Sequence, residues 1–301
     1  MINEIVVKSV LNKHKKRDNW FLENYTLNPY SGCSFKCIYC YIRGSKYGGN
    51  NSNNLSIKLN APEILVKQLK RRALKREYGI IVVGSSTDPY LDIEEKLCLT
   101  RELLQIIYRF KFPVHVITKS NLILRDLDIL MKINSNANLP VDLKTKLNRG
   151  VIVSFSFSTI DEKLAKIFEP GAPSPMERLE TILKLKEEGF LVGVNLMPVL
   201  PFLSDSEENL DKMIKLMKYY EADFVLIGGL TLFGDKSTDC KIRYFEILEK
   251  YFPEILEKTK ILEKTKNLFQ NSFAPPRHYQ MALSKRFERV CKKYCIKSSI
   301  I

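Results

Sequence analysis

From residue 61 onward the apolar positions alternate between two rhythms. Ile64, Leu65, Leu69 and Ala73 share one helical face, behind a helix-start signal at Asn60, Pro62 and Glu63. Gly79 closes that segment, and IIVVGSS (80–86) follows as a continuous apolar run. The same alternation then recurs. Leu99, Leu103, Ile106, Ile107 and Phe110 form the next helical stripe, and Pro113 restarts the chain as the strand VHVIT. VIVSFSFS (151–158) is another strand. Met176, Leu179, Ile182 and Leu183 mark a helix ended by Gly189, with LVGVNL behind it. Ser204 or Asp205 is the expected cap of a helix through Leu210, Met213, Ile214 and Met217, before DFVLIGG (223–229). These strands are apolar on both sides, the mark of a parallel sheet covered on its faces. With one strand ahead of Cys33, about six strands alternate with helices up to residue 230. The fold class is α/β, and both a doubly wound sheet and a partial barrel fit this pattern. Beyond Leu232 the chain turns helical and charged, with a break expected at Pro275–Pro276. The one biased tract is the loop YGGNNSNN (47–54).

The 301 residues, 45% of them hydrophobic, are enough for one large domain or two modest ones with a buried core. No apolar run approaches the roughly 20 residues that span a bilayer, and no secretory signal opens the chain, so the expected location is cytoplasmic and away from membranes. In that compartment, seven cysteines point to metal, catalysis or buried thiols rather than disulfides. The formal net charge is +14, which favours polyanionic partners such as DNA or RNA. The basic residues cluster at 13–17, at Lys67, Lys70, Arg71, Arg72, Lys75 and Arg76, and at Lys285, Arg286, Arg289, Lys292, Lys293 and Lys297. Solvated helix faces account for such clusters equally well.

The densest chemistry lies in PYSGCSFKCIYCY (29–41), where Cys33, Cys37 and Cys40 form C-x3-C-x2-C. Closely spaced thiolates select zinc, copper or an iron–sulfur cluster. A structural zinc needs a fourth ligand, and neither His14, His115, His278 nor Cys98 is near in sequence. A [4Fe–4S] cluster normally takes four thiolates. Three would leave one iron open to a substrate or cofactor.

This spacing, with Tyr39 before the last cysteine, resembles the radical S-adenosylmethionine (SAM) superfamily. GSSTDPYLDIEEKLCLTRELL, ITKSNLILRDLDIL and VSFSFSTIDEKLAKIFEPGAPSPMERLETILKLKEEG resemble its spore photoproduct lyase-like branch. The resemblance covers about residues 25–230. It implies a partial (β/α)6 TIM-type barrel over 25–232, preceded by a basic N-terminal segment (1–24) and followed by a helical C-terminal extension (233–301). It implies a [4Fe–4S] cluster on Cys33, Cys37 and Cys40, SAM on the open iron, reductive SAM cleavage to a 5′-deoxyadenosyl radical, and a ferredoxin- or flavodoxin-like one-electron reductant. A non-catalytic iron–sulfur protein that binds nucleic acid is the alternative reading.

Strand C-termini face the active site in parallel barrels. Ser86, Thr87 and Asp88, with Ser85, are therefore candidates for the SAM amine. By resemblance, Lys119, with Ser120 beside it, meets the SAM carboxylate, and Tyr39 packs on adenine. Ser154, Ser156 and Ser158 share one strand face. Ser156 is the candidate for a cofactor pocket, and cross-strand bonding is the other use of such a row. Glu169 and Arg178 bracket the loop EPGAPSPMER and suggest a clamp, to each other or to SAM, or a surface ion pair. Asn195 is a candidate for the ribose. Tyr41 is a candidate radical relay. Photoproduct lyases carry a hydrogen-donor cysteine where Ser85 and Ser86 stand here, so the resemblance does not carry dimer repair with it. Cys98 is the nearest thiol, on an apparent helix, and reads chiefly as a buried one. Cys240, Cys291 and Cys295 are candidates for a second metal or cluster, with incidental thiols the commoner case.

Overall fold

The computed structural model describes residues 2–48, 54–252, 256–270 and 272–301, with the backbone alone at 256–260 and 262. Residues 49–53 of the Asn/Gly-rich tract lie outside the described residues. The chain opens with β1 (Asn3–Ile5), β2 (Leu11–Lys13), β3 (Tyr25–Leu27), β4 (Tyr30–Ser31) and β5 (Ser56–Lys58). Then α1 (Ala61–Leu74) leads to β6 (Ile81–Val83), and α2 (Glu94–Leu97) with α3 (Leu99–Arg109) leads to β7 (Val114–Thr118). Next come α4 (Leu127–Asn136), β8 (Val151–Phe157), α5 (Glu162–Phe168), α6 (Pro175–Glu187), β9 (Leu191–Val199), α7 (Glu207–Tyr219) and β10 (Phe224–Gly229). Three helices finish the chain: α8 (Cys240–Tyr251), α9 (Leu256–Phe269) and α10 (Arg277–Lys293).

The large sheet has the order β10-β9-β8-β7-β6-β3-β2. From β3 to β10 every pair is parallel and neighbours follow chain order. That sequential order distinguishes a barrel from a doubly wound sheet, whose order reverses at a switch point. The first and last parallel strands do not pair among the described residues, so the barrel is open. On its β3 edge, β2 adds antiparallel, so the segment before residue 25 is built into the sheet. A small sheet, β1-β5-β4, lies beside it.

Two apolar cores follow from strand alternation. Ile81, Val83, Val114, Val116, Val151, Val153, Val192 and Val194 face the helices. Ile80, Ile152, Phe224 and Leu226 join Leu22, Leu143, Leu147 and Ile300 in a separate core that fills the barrel floor. Strand register sets the layers of the lumen. Val82, His115, Ile152 and Leu191 are in line. Ile117, Ser154, Gly193 and Phe224 form the next row, and Ser156, Asn195 and Leu226 the one above. Gly193 is small for a reason: a Cβ there would stand 2.3 Å from the Phe224 ring.

Two expected helix starts use different atoms. Asn60 precedes α1 but makes no side-chain cap. Its amide instead pairs with the Val7 backbone, accepting from N at 3.0 Å and donating to O at 2.9 Å. The cap of α7 is Ser206, whose hydroxyl accepts from Asn209 N. Ser204 and Asp205 fold back instead onto the N–H groups of Leu200 and Phe202. The turn out of β9 leaves more than one N–H to satisfy, and three adjacent polar residues divide them. Pro276 stands just before α10, where a chain break was expected.

Replacing Gly193 by alanine overpacks the lumen. Urea unfolding is expected to show a loss of about 1–3 kcal/mol, partly recovered when Phe224→Leu is added. Equal stability of Gly193→Ala and wild type contradicts the close Gly193–Phe224 packing.

Candidate active site

The six parallel strands end on one side, and the cysteine loop follows the first of them. Asn28 ties the first two strand ends together: its Nδ2 donates to Ser85 Oγ at 3.0 Å, and its Oδ1 accepts from Ser86 N at 2.9 Å. Thr87 Oγ1 donates to the Gly32 carbonyl at the start of the cysteine loop. Gly32 needs to be glycine, with φ +80 and the Asn54 carbonyl 2.3 Å from where a Cβ would lie. Tyr41 OH donates to Ser85 O at 2.7 Å. From the other side, Ile38 N donates to Phe168 O at 2.8 Å and Gly171 N to Phe35 O at 3.0 Å. The loop is thus clasped between the ends of β6 and α5.

Cys37 is buried, and Cys33 and Cys40 are partly so. Burial pushes all three thiols above their ordinary range, Cys37 to about 12, while Lys119 pulls Cys37 and Cys40 back down. Dry thiols of this kind ionise when a metal replaces the proton. Among the described residues no three His, Cys, Asp or Glu side chains are gathered about a single metal-ion position. A cubane does not require that, since each thiolate meets a different iron.

Beside this loop lies a buried carboxylate, Glu169. It accepts from Tyr39 OH, from Ser158 Oγ at 2.8 Å and from Arg178 Nη2. Arg178 and Glu169 side chains are each 1% exposed, so their pair is not a surface one. The rest of the Arg178 guanidinium is spent on backbone: Nη1 on Ser156 O at 2.9 Å, Nε on Pro173 O at 2.9 Å. Arg178 therefore ties the EPGAPSP loop to Glu169 and to the end of β8. Burial alone would raise the Glu169 carboxyl, but Arg178 and then Lys119 outweigh it and hold it below its ordinary value.

Asp88 is consumed by the neighbouring strand end. It accepts from Thr118 Oγ1 at 2.7 Å, Tyr90 N at 2.9 Å and Lys119 N at 2.7 Å. Ser120 caps the turn after β7, accepting from Leu122 N. Asp88, Thr87 and Ser120 thus hold the mouth together, while Ser86 stays partly exposed at its rim. Lys119 is different. Its Nζ lies 5.9 Å over the Tyr39 ring and has no hydrogen-bond or ion-pair partner among the described residues. Burial presses its pKa down, yet Cys37 and Glu169 more than offset this, and it stays a cation.

The serine row divides three ways. Ser154 pairs with His115, whose Nδ1 meets the Phe21 carbonyl at 2.9 Å and whose Nε2 meets Ser154 Oγ at 2.6 Å. A carbonyl can only accept, which assigns the neutral Nδ1–H tautomer. Burial pushes that imidazole down to about 4. Ser158 serves Glu169. Ser156 remains partly exposed in the lumen, in register with Asn195. Asn195 is 2% exposed, and its Oδ1 has no partner.

Cys98 sits in neither a helix nor the core. It takes φ +53 between α2 and α3 and is partly exposed. Its sulfur lies 3.9 Å from Glu95 O and 3.7 Å from Arg125 Nη1. Cys240 is buried against Phe233, Cys291 is buried in α10, and Cys295 is exposed. Three further residues belong to the mouth. Arg43 Nη1 holds the Cys37 carbonyl at 3.1 Å. Lys58 Nζ holds the Asn28 carbonyl at 2.8 Å, with its pKa lowered by burial to about 8. Asn28 joins the strand ends. Their signals in the sequence are slight: a strand-end polar residue, a basic residue after the motif, and a lysine in a short strand.

A model of the Radical SAM superfamily matches residues 27–217. An uncharacterized protein of Mycobacterium tuberculosis is 28% identical over 298 residues, covering 97% of this chain and 80% of its own length. A cysteine-to-serine variant of spore photoproduct lyase superposes with a TM-score of 0.64 at 16% identity, over 97% of this chain and 79% of that one. Another variant of that lyase, with bound AdoMet and dinucleoside spore photoproduct, gives 0.63 at 15% identity over the same shares. At such identities the likeness is one of fold.

Arg178→Met would strand a buried carboxylate and is expected to cost about 3–5 kcal/mol. The acid side tests the same pair. Because the folded Glu169 carboxyl lies below the ordinary glutamate value of 4.5, its contribution is present above that value and is lost as pH falls through the lowered one. Urea unfolding from pH 7 to pH 3 should show a shallower acid slope in Glu169→Gln than in wild type, and identical slopes refute the assignment.

Proposed function

The chain belongs to the Radical SAM superfamily of enzymes, and from that premise we propose that it binds a [4Fe–4S] cluster on Cys33, Cys37 and Cys40 and acts on SAM. The observation that carries this reading is the polarity of the mouth. Cys33, Cys37 and Cys40 stand beside Lys119, which has no hydrogen-bond or ion-pair partner among the described residues, and the buried Asn195 Oδ1 in the lumen below also lacks one. An unsatisfied polar atom in a dry site costs free energy unless a ligand meets it. When bound, the cluster supplies one electron that cleaves SAM to a 5′-deoxyadenosyl radical.

Each side chain has a role in this reading. Lys119 receives the SAM carboxylate as a point charge. Asn195 and Ser156 take the polar face of the nucleoside from within the lumen. Ser86 offers a hydroxyl at the rim to the SAM amine. Tyr39 is held by Glu169 under Lys119 and gives the ligand a fixed wall. Thr87, Asp88, Ser120 and Arg178 are positioning residues. Tyr41, whose hydroxyl rests on Ser85 O, is our choice for any hydrogen-atom relay, and Cys98, tied to Arg125 and Glu95, is not. A one-electron reductant of the ferredoxin or flavodoxin class would feed the cluster.

The inferred substrate class is nucleic acid. The net charge of +14 and a face of α10 where Lys285, Arg286, Arg289 and Lys292 outnumber Glu288 support a polyanion. No helix of the described residues is long and apolar enough to cross a membrane.

Anaerobic reconstitution with iron and sulfide, then dithionite and SAM, is expected to release 5′-deoxyadenosine. Alanine at Cys33, Cys37 or Cys40 should abolish both the cluster's absorption and the product. Lys119→Met should raise the SAM concentration needed for half-saturation about tenfold or more, since a hydrogen bond to a charged group is worth about 1.5–3 kcal/mol. A wild-type protein that loads iron yet yields no 5′-deoxyadenosine overturns the reading.

A further inference from the structure

Arg43 follows Cys40 by three residues and is only 6% exposed. Buried guanidinium groups are ordinarily matched by a carboxylate. Arg43 has none among the described residues. Its Nη1 donates to the Cys37 carbonyl at 3.1 Å, and its Nε is buried without a partner.

The part of the chain beyond β10 holds this arginine in place. Cys240 N donates to the Arg43 carbonyl at 3.2 Å. Next to it Gly44, at φ +92, passes so near the Phe233 carbonyl that a Cβ would stand 2.5 Å from its oxygen. Here α8 begins, directing the positive end of its dipole toward the same place. One turn into α8 stands Arg243. Burial first, and then the charge on Arg43, lowers its pKa, and Glu246 offsets this only in part. Asp239, which precedes α8, accepts from Lys236 N at 2.9 Å and is turned to its own loop. Two cations and a helix N-terminus therefore press on one side of the cysteine loop.

We propose that Arg43, backed by Arg243, is the counter-charge of the cluster and makes it easier to reduce. This rests on the cluster reading above. A [4Fe–4S]2+ core with three thiolates carries a net charge of −1. The electron from the ferredoxin- or flavodoxin-class donor takes it to −2, and no bond forms or breaks. The reduced state therefore gains more than the oxidised state from a nearby cation in a dry site. Arg43 touches no substrate and acts through the cluster's charge, so it is a positioning residue. The C-terminal helices then serve the redox centre directly, because they anchor Arg43 and supply Arg243.

The measurement is a mediated redox titration of the reconstituted full chain, followed by electron paramagnetic resonance and independent of turnover. At the wild-type midpoint, Arg43→Gln should lower the reduced-to-oxidised ratio about tenfold, which is 59 mV for a one-electron couple. Arg243→Gln should lower it in the same direction by about threefold, and Arg43→Lys should restore most of the wild-type ratio. The proposal falls if Arg43→Gln and Arg243→Gln load the wild-type content of iron and sulfide and titrate within about twofold of wild type. If Arg43→Gln loads no cluster, Arg243→Gln decides by the same criterion. A wild-type chain that takes up no iron removes the cluster reading itself, a failure distinct from unchanged midpoints.

Discussion

The carboxylate of Glu169 is the interaction on which the mouth of this barrel depends. It is buried, and it gathers Tyr39 from the cysteine loop, Ser158 from the end of β8 and Arg178 from α6. Without it, the loop would touch that side of the barrel through two backbone bonds, Ile38 to Phe168 and Gly171 to Phe35. Its charge also sets the local balance. Arg178 and Lys119 both act on it. Lys119 in turn feels Cys37, Glu169 and, more weakly, Asp88, so two cations and two carboxylates share the mouth.

Below the mouth, apolar and polar side chains share each row: Ile152 is level with His115, Phe224 with Ser154, and Leu226 with Ser156 and Asn195. In the two lower rows the neutral His115–Ser154 pair satisfies itself between strands. Only the next layer, Ser156 and Asn195, keeps an unmet acceptor. A charged group at the level of His115 would meet a fully bonded imidazole held neutral by burial.

The parts outside the parallel strands are not appendages. β2 extends the sheet at one edge. At the other, the carbonyl of Lys297 accepts from Val225 N at 2.8 Å, and Leu232 N bonds Phe273 O. α10 runs along α7 through Arg289–Glu207 and Lys293–Asp211. These ion pairs are exposed and individually weak. With Arg286 near Asp205 at 4.0 Å, they also neutralise part of the basic cluster read from the sequence, and Lys285 and Lys292 are left as its more available charges on that helix.

The order of helices and strands, the cysteine motif and the strand-end positions of Ser86 and Lys119 were legible in the sequence. Each depends on spacing along the chain: a two-residue or 3.6-residue period, or a motif within eight residues. The sequence did not tell the uses of polar groups that depend on distant partners. Ser154 and Ser158 look alike in their strand, yet one meets His115 and the other Glu169. A clamp between Arg178 and Glu169 was one of three readings open to that loop, and only the burial of both groups decided for it. Ser206 caps α7 because Ser204 and Asp205 were taken by the turn. Cys98 resembled a helical thiol, but it occupies a left-handed break. Local period and motif determine which elements form and where the three cysteines come together in one loop. Which hydrogen bonds are left over for a ligand is decided only once the folded chain has brought every competing donor and acceptor within reach.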